Sequence, residues 1–256
     1  FNASTEAGYD EGQYKAMNRV WIIRATELEY ILPLMYRDQV EVKTWVDDIR
    51  RVRSRRCYEF KIGGSEKTAA RGYTDWVFLH RESLKPCTIP EELISAFFPD
   101  DEPPSSVRRS PFPEPPPAPE RVFKFRKKVE WRDIDGMHHL NNAGYLSYAE
   151  EAAVELSAAY NWPLTRGLEM GIAFVAQNTR IQYISPAFLG DELDILTWLI
   201  EIRPASALRH YDIIRAKDGN LLARIQTRWV YFDLAAGKPR RFPENFRQLL
   251  ADNIAD

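Results

Sequence analysis

Cysteine is almost absent from this sequence: Cys57 and Cys87 are the only two among 256 residues. A secreted domain of this size more often contains several disulfide pairs, so the composition predicts a reducing, cytoplasmic location. Metal-ligand patterns such as CxxC, HxxxH and HExxH are also absent. The sequence therefore predicts neither a metal site nor any other cofactor.

Long apolar runs and a strong charge of either sign are missing as well. No run approaches the roughly 20 apolar residues of a membrane-spanning helix. Residues 1–12 are polar and lack the basic-then-apolar order of a signal peptide. The formal net charge of −2 gives no general attraction to nucleic acid. Hydrophobic residues make up 45% of the sequence and charged residues 28%, which is typical of a globular protein with a proper core.

What the sequence does contain is an internal repeat, seen when Trp45 is aligned with Trp198 and Trp76 with Trp229. In this one ungapped register, identical pairs recur from Thr26 with Thr179 to the end of the first half. They occupy roughly three in ten of the aligned positions, whereas chance gives only about one match in fifteen to twenty at average residue usage. We infer a duplicated domain.

A proline-rich segment separates the two copies. Residues 99–120 contain nine of the 17 prolines, and proline favours extended geometry because it lacks a backbone N–H donor. This indicates a semi-rigid linker between an N-terminal domain at 1–98 and a C-terminal domain at 121–256. In the register of the repeat, the counterparts of residues 129–153 would precede residue 1. We therefore expect that the first strand and the helix start of the first copy either lie upstream or are replaced by another element, and that only the second copy has a full catalytic set.

The second copy shows clear periodic patterns. Residues 221–232 alternate between two faces, which predicts a half-buried antiparallel strand, and residues 193–202 and 209–214 also have strand character. Residues 143–160 place Tyr, Ala and Leu side chains at helical spacing. This order predicts an α+β fold in which each copy packs a long helix against a curved antiparallel sheet.

Residues 129–151 contain the segment that indicates a chemistry. Their sequence is VEWRDIDGMHHLNNAGYLSYAEE, and the pattern W-x-D-x-D-x-x-x-H-x-N-N-x-x-Y resembles the signature of hot-dog thioesterases of the 4-hydroxybenzoyl-CoA thioesterase type. The tandem arrangement, with one such signature in the second copy, resembles the acyl-ACP thioesterases. The resemblance implies a tandem (double) hot-dog fold and a hydrolase of fatty acid biosynthesis. It also implies that Asp135 is the catalytic carboxylate and that His139 assists it.

The residues themselves suit this chemistry. A strand ending near Trp131 leads into a loop and then into a helix near Asn141 and Asn142, and Asn is a favoured N-cap. Free N–H groups and a partial positive charge at a helix start can polarise a thioester carbonyl and stabilise an oxyanion. Asp135 can accept a proton from water or attack the carbonyl itself. His139 can orient the water or steady the thioester oxygen.

Several residues of this segment also have structural alternatives. Asp135 could be a loop carboxylate that caps backbone N–H groups, but the resemblance favours catalysis. Asp133 also fits the signature and suits a structural role better. Of the adjacent pair His138 and His139, the motif selects His139. The remaining substrate-binding candidates, which equally suit helix caps, core or pocket wall, are Asn141, Asn142 and Tyr145.

Two features depart from the resemblance. The plant acyl-ACP thioesterases resemble D-x-N-x-H across this loop, whereas Met137 occupies the Asn position here, which leaves no amide there to align water. Cys57 and Cys87 lie outside any matching motif, so a Cys nucleophile is not expected.

Two basic runs suggest how a carrier docks. Residues Arg50–Arg56 (RRVRSRR) fall between two strands, which predicts a hairpin end in solvent, and a second run at 124–128 precedes the catalytic loop. The alternative is that both basic runs are only solvated parts of the surface and do not bind a carrier. Acyl carrier proteins, however, are acidic and carry a phosphopantetheine arm, and Arg binds carboxylate and phosphate. We expect acyl-ACP as the preferred substrate, with acyl-CoA as the runner-up, and contacts from Arg53, Arg55 and Arg56.

Two functions of another kind stay open from the sequence. One is a non-catalytic hot-dog module that binds an acyl thioester, although such a module needs no aligned base. The other is dehydration of a hydroxyacyl thioester, which the D-x-D-x-x-x-H-x-N-N loop resembles less. Acyl chain length and oligomeric state are also open, and a homodimer is one of the assemblies that fit.

Overall fold

The computed structural model describes residues 2–98 and 109–255. The chain forms two compact units, Phe1–Pro111 and Phe112–Asp256. In both units an antiparallel sheet carries most of the ordered backbone. None of the helices formed by the described residues is long and apolar enough to cross a membrane.

The described residues of unit 1 form a four-stranded antiparallel sheet and three short helices. Its elements are α1 (Asn2–Glu6), α2 (Glu11–Ala16), β1 (Arg19–Tyr30), β2 (Val40–Arg50), β3 (Arg53–Ile62), β4 (Thr68–His80) and α3 (Glu91–Phe97). The strand order is β2-β3-β4-β1. Phe78 of β4 and Leu93 of α3 are fully buried in the core that joins the short helices to the sheet. On the edge strand β2 and before it, large apolar side chains such as Met35, Tyr36 and Val42 are exposed.

Unit 2 contains a longer helix and a larger sheet. Its first elements are β5 (Phe123–Lys128), a 3₁₀ turn (Trp131–Asp133), α4 (Asn142–Ala159) and α5 (Leu164–Glu169). The sheet continues with β6 (Ile172–Tyr183), β7 (Glu192–Ile202), β8 (Ser206–Arg215), β9 (Leu221–Asp233) and β10 (Lys238–Pro239), before α6 (Phe246–Leu249) and a 3₁₀ turn (Ala251–Asn253). The strand order is β6-β9-β8-β7-β5, and β10 pairs with β9.

The internal repeat of the sequence is a repeat of backbone geometry. In the register of the repeat, both ends of β1, β3 and β4 fall on the ends of β6, β8 and β9. The β-bulges recur at the same places, after Ile23 in β1 and Ala176 in β6, and after Val46 in β2 and Leu199 in β7. Since a bulge changes the local twist of a strand, the two copies preserve the shape of the sheet as well as its order.

Helix α4 is the long helix predicted for unit 2, and it packs along one face onto the sheet. Its many small side chains let the helix lie close to the strands, where Ile195, Ile213 and Ile225 are fully buried. In the described part of unit 1 the longest helix is α3, with seven residues. The buried residues of α4 are Tyr145, Tyr148, Ala149, Ala152 and Leu156.

Candidate active site

The loop between β5 and α4 forms a tight hairpin at residues 134–140. Ile134 and Leu140 form the closing bridge, the Asp135 N–H donates to the His139 carbonyl (3.0 Å), and the His138 N–H donates to the Asp135 carbonyl (3.0 Å). His138 has a φ of 61°, the left-handed conformation that this type of bulged turn requires and that glycine adopts most readily. The hairpin therefore holds Asp135 and His139 as neighbours.

The two oxygens of the Asp135 carboxylate have different surroundings. Oδ1 accepts a hydrogen bond from the Met137 N–H at 2.8 Å and lies 3.5 Å from Nδ1 of His139. Oδ2 has no hydrogen-bond partner among the residues that the structure describes. The side chain is 25% exposed. One oxygen thus fixes the orientation of the group, and the other is open to water or a substrate.

His139 is oriented by its δ nitrogen. Nδ1 lies 3.2 Å from the Leu140 carbonyl oxygen and 3.5 Å from Oδ1 of Asp135. Both neighbours are hydrogen-bond acceptors, so Nδ1 carries the proton in the neutral ring. Nε2 is then the nitrogen available to a water molecule or to a substrate oxygen.

Asp133 lies at the base of the hairpin, and its carboxylate is engaged inside the protein. Oδ2 accepts hydrogen bonds from Oη of Tyr148 (2.6 Å) and from the Glu130 N–H (3.0 Å). Burial opposes ionisation of this carboxyl, but the hydrogen bonds from Tyr148 and Glu130 outweigh it and lower the pKa of Asp133. Burial and the same contact raise the pKa of Tyr148. Asp133 is therefore an ionised anchor rather than a free acid.

The start of α4 presents backbone N–H groups next to this hairpin. Asn141 caps the helix, because its Oδ1 accepts from the Ala143 N–H at 2.9 Å. Oη of Tyr183 donates to the Asn142 carbonyl at 3.0 Å. The Asn142 N–H has no acceptor among the described residues. A free N–H at the positive end of a helix can stabilise the oxygen of a thioester as it becomes negative.

The loop between β6 and β7 supports the hairpin, a contribution that sequence reasoning missed. The Leu140 N–H donates to the Ala187 carbonyl (2.8 Å), and the Ala187 N–H donates to Oη of Tyr145 (3.0 Å), which lies 3.5 Å from the Ser185 carbonyl. Burial raises the pKa of Tyr145 to about 12. Because this hydroxyl is used inside the core, a substrate contact by Tyr145 would have to come from its ring.

The same loop is held at its far end by Asp191. The Asp191 carbonyl accepts from the Val129 N–H at 2.9 Å, and its carboxylate binds Arg215 (3.0 Å) and Lys217 (3.2 Å). Asp191 and Pro186 are both identical to their partners in the first copy. That identity was the signal in the sequence that could have identified this loop.

The cysteines do not take part in this arrangement. Cys57 lies in β3 of unit 1, and burial raises the pKa of its thiol to about 11, which disfavours the nucleophilic thiolate. Met137, at the turn of the hairpin, is exposed. Within residues 2–98 and 109–255, no group of His, Cys, Asp and Glu side chains is arranged to hold a metal ion.

The prediction that Arg50–Arg56 forms a hairpin end in solvent is wrong for Arg55. The turn is confined to residues 51–52, and β3 already begins at Arg53. The Arg55 side chain is 9% exposed. It forms a bidentate ion pair with Asp75, at 2.8 Å for each bond, and lies 3.7 Å from the centre of the Tyr73 ring. A guanidinium held in this way is not available to a carrier.

The other two predicted carrier contacts differ from each other. Arg53 is exposed. Arg56 is half-buried, donates to Thr44 Oγ1 at 3.3 Å and lies 5.8 Å from the centre of the Phe97 ring. In the second basic run, Lys124 and Arg126 both bind Asp194, so part of that charge is neutralised.

Comparison with known proteins identifies relatives of both halves. Residues 2–97 match the family model of the acyl-ACP thioesterase N-terminal domain, and residues 129–250 match that of the thioesterase-like superfamily. The long-chain acyl-CoA thioesterase FadM of Escherichia coli is 31% identical over 130 residues, which are 50% of this chain and 96% of FadM.

Solved structures resemble the chain over most of its length. An acyl-ACP thioesterase from Bacteroides thetaiotaomicron superposes with a TM-score of 0.64 at 17% identity, covering 88% of this chain and 83% of that one. The 12:0-ACP thioesterase from Umbellularia californica superposes with a TM-score of 0.65 at 15% identity, covering 91% of this chain and 78% of that one. At such identities the likeness identifies the fold alone, which is the predicted double hot-dog.

Proposed function

The chain belongs to the acyl-ACP thioesterase branch of the thioesterase-like superfamily, and on this basis we propose that it releases free fatty acids from acyl-ACP with Asp135 as the catalytic carboxylate. The chain is a thioester hydrolase. The observation that carries the proposal is the state of the Asp135 carboxylate. Its Oδ1 is fixed by the Met137 N–H, and its Oδ2 has no hydrogen-bond partner within the part of the chain that the structure describes.

In the proposed reaction Asp135 acts as a general base on water. It accepts a proton while the water oxygen attacks the thioester carbon, and the Asn142 N–H at the start of α4 stabilises the carbonyl oxygen as it becomes negative. The C–S bond then breaks, the electron pair leaves with sulfur, and the proton on Asp135 passes to the thiolate. His139, through Nε2, orients the water or steadies the carbonyl oxygen.

A second course uses the same carboxylate as a nucleophile. Oδ2 of Asp135 attacks the thioester carbon, the thiolate leaves, and water then hydrolyses the mixed anhydride. In a single turnover in ¹⁸O-labelled water, attack on the aspartyl carbonyl of the anhydride places the label in the Asp135 carboxylate, whereas attack on the fatty acyl carbonyl labels the fatty acid, as the general-base course does. Label found in the Asp135 carboxylate identifies the anhydride, because a general base never exchanges its own oxygens.

The proposed carrier is acyl carrier protein. It is supported by the match of residues 2–97 to the acyl-ACP thioesterase N-terminal domain. The alternative is coenzyme A, which the name of the relative FadM favours. Both carriers end in the same pantetheine thiol, so the hairpin chemistry serves either one. The low cysteine content supports a cytoplasmic reaction.

Fewer residues of the Arg50–Arg56 run can form the proposed docking surface than the sequence indicated. The members that face solvent are Arg50, Arg51 and Arg53. Exposed positive charge of this kind mainly raises the association rate with an acidic partner and is screened by salt. We propose that Arg51 and Arg53 contact the carrier protein.

The proposed function is tested by thiol release from three substrates with the same acyl chain: acyl-ACP, acyl-CoA and acyl-pantetheine. We expect the highest kcat/KM with acyl-ACP at low salt. The variant Arg51→Asn with Arg53→Ser should raise KM for acyl-ACP and leave acyl-pantetheine unchanged. Faster turnover of acyl-CoA than of acyl-ACP by the parent enzyme would overturn the carrier assignment. An unchanged KM in the variant would remove only the docking site.

A further inference from the structure

We propose that Tyr148 is a positioning residue for Asp135 and that it acts through Asp133. The inference rests on the proposed function, since it assumes that Asp135 performs the chemistry. Tyr148 lies in the second turn of α4 and is buried in the core of unit 2. Its hydroxyl is the one side-chain group of α4 within the described residues that hydrogen-bonds to a side chain at the base of the hairpin.

Asp133 connects three parts of the site. Its carboxylate accepts from Oη of Tyr148 (2.6 Å) and from the Glu130 N–H (3.0 Å), and its backbone carbonyl accepts from the Asn141 N–H (2.8 Å). The chain before the hairpin, the cap of α4 and the body of α4 therefore all meet at this residue.

The catalytic hairpin lies between Asp133 and Asn141, which are bonded to each other. Residues 134–140 begin directly after Asp133 and end directly before Asn141, which is bonded to Asp133. A rotation of Asp133 would move both ends of the hairpin together, and Asp135 with them. The phenol of Tyr148 prevents that rotation, because it ties the carboxylate to a helix that is itself packed on the sheet.

The same contact separates the tasks of two carboxylates that are close neighbours in the chain. The pKa of Asp133 is lowered even though burial alone would raise it. The pKa of Tyr148 is raised, mainly by burial and then by the contact with Asp133. The phenol is thus the donor and Asp133 the anion. Oδ2 of Asp133 is bonded to α4 through Tyr148, whereas among the described residues Asp135 accepts its one backbone hydrogen bond from within the hairpin, at Met137.

The ring of Tyr148 is buried and lies beside a cation. Nζ of Lys127 lies 5.4 Å from the ring centre and forms an ion pair with Glu151 at 2.7 Å. Tyr148 therefore has little freedom to turn its hydroxyl away from Asp133, as a positioning role requires.

The test is Tyr148→Phe, with Tyr211→Phe as a matched control. Tyr211 is also a buried phenol of unit 2, and its Oη accepts from Nε1 of Trp229 at 3.1 Å, but among the described residues this hydroxyl forms no hydrogen bond with the hairpin. Both variants lose one phenolic hydrogen bond. We expect Tyr148→Phe to lower kcat by about 10- to 100-fold, as a misplaced catalytic group does, with KM within about threefold of the parent value. Tyr211→Phe should retain the parent kcat.

A second variant covers the case in which Tyr148→Phe does not fold. Asp133→Asn keeps an oxygen for the phenol but weakens the contact, so kcat should fall by several-fold without a change in KM. If Tyr148→Phe folds, the double variant should lose no more activity than the more impaired single variant, because both changes break one contact. A parent-like kcat in Tyr148→Phe, or in Asp133→Asn where only that variant folds, would overturn the inference. If instead Asp135→Asn retains activity, the proposed function fails, whatever Tyr148 does.

Discussion

Replacement of Asp135 by Asn is the most direct perturbation of the proposed site. The substitution keeps the shape of the side chain, and the amide oxygen can still accept the Met137 N–H bond now made at 2.8 Å. What changes is Oδ2, which becomes an NH₂ group that cannot accept a proton. The expected loss in kcat is about 10²–10⁴-fold, the usual contribution of a general base. That range equals roughly 3–5 kcal/mol on the activation barrier.

The folded state should barely respond to this change. The Asp135 side chain is 25% exposed, and its contact with His139 is a loose one at 3.5 Å. Substitutions at such positions usually alter the free energy of unfolding by no more than about 0.5 kcal/mol. A large loss of activity without a loss of stability is therefore the expected signature.

Asp233→Asn is a matched control for this experiment. Asp233, at the end of β9, is 26% exposed, and its Oδ1 accepts a backbone N–H, that of Ala236, also at 2.8 Å. The assay is thiol release from acyl-ACP under saturating and single-turnover conditions, together with thermal unfolding of each variant. If purified, folded Asp135→Asn turns over within about threefold of the parent enzyme, Asp135 is not the catalytic carboxylate.

Four further outcomes follow from the same structure. His139→Gln should lower kcat by about tenfold, less than the 10²–10⁴-fold of a lost base; a larger effect than that of Asp135→Asn, measured by thiol release, would make the imidazole the base. His138→Gly should raise the free energy of unfolding by about 0.5–1 kcal/mol in urea titrations, because glycine adopts the left-handed conformation of this position without the steric cost of a side chain. Arg55→Ala should cost roughly 2 kcal/mol in the same titrations, since it removes the charged hydrogen bonds to Asp75, which keeps Arg109 as a partner, with kcat per folded molecule unchanged. Trp131→Ala should raise KM for acyl-ACP several-fold and not that for acyl-pantetheine, because this 82% exposed ring is a suitable anchor for a protein partner.

The repeating backbone of this protein was predictable because its signals are local. The strand expected at 221–232 is β9 (Leu221–Asp233), and the helix expected at 143–160 is α4 (Asn142–Ala159). Alternation along a strand and helical spacing along a helix depend only on neighbours in the chain. Because the two copies align without gaps, a strand assigned in one copy also predicts a strand at the equivalent residues of the other.

The position of Arg55 was not predictable because it depends on strand register. In the sequence, Arg55 belongs to the arginine-rich run Arg50–Arg56, and such runs usually face solvent. In the sheet, Arg55 is directly opposite Asp75 of β4, a partner well separated from it along the chain. Only the pairing of β3 with β4 makes that carboxylate a neighbour, and a composition argument contains no such information.

The contact between Tyr148 and Asp133 was missed for a related reason. The helical spacing placed Tyr145, Ala149 and Ala152 on one face of α4, and Tyr148 adjoins that face. Its hydroxyl reaches Asp133 only because the hairpin folds back onto the helix. The motif identified the residue types of the site but not the side chain that holds them.

The two copies also differ in how they balance the charged side chains at two equivalent positions of the sheet. In unit 2, Glu201 and Arg228 bind each other directly. Their counterparts in unit 1 are Asp48 and Asp75, two acids, and Asp48 is 1% exposed. A buried carboxylate needs a partner of opposite charge, and Arg109 contacts both, at 2.8 Å to Asp48 and 3.0 Å to Asp75.

Arg109 belongs to the proline-rich segment rather than to a strand, so unit 1 includes part of the predicted linker among its structural contacts. The duplication preserved strand ends and bulges while side-chain pairs diverged, which is why a backbone repeat does not predict a repeated site.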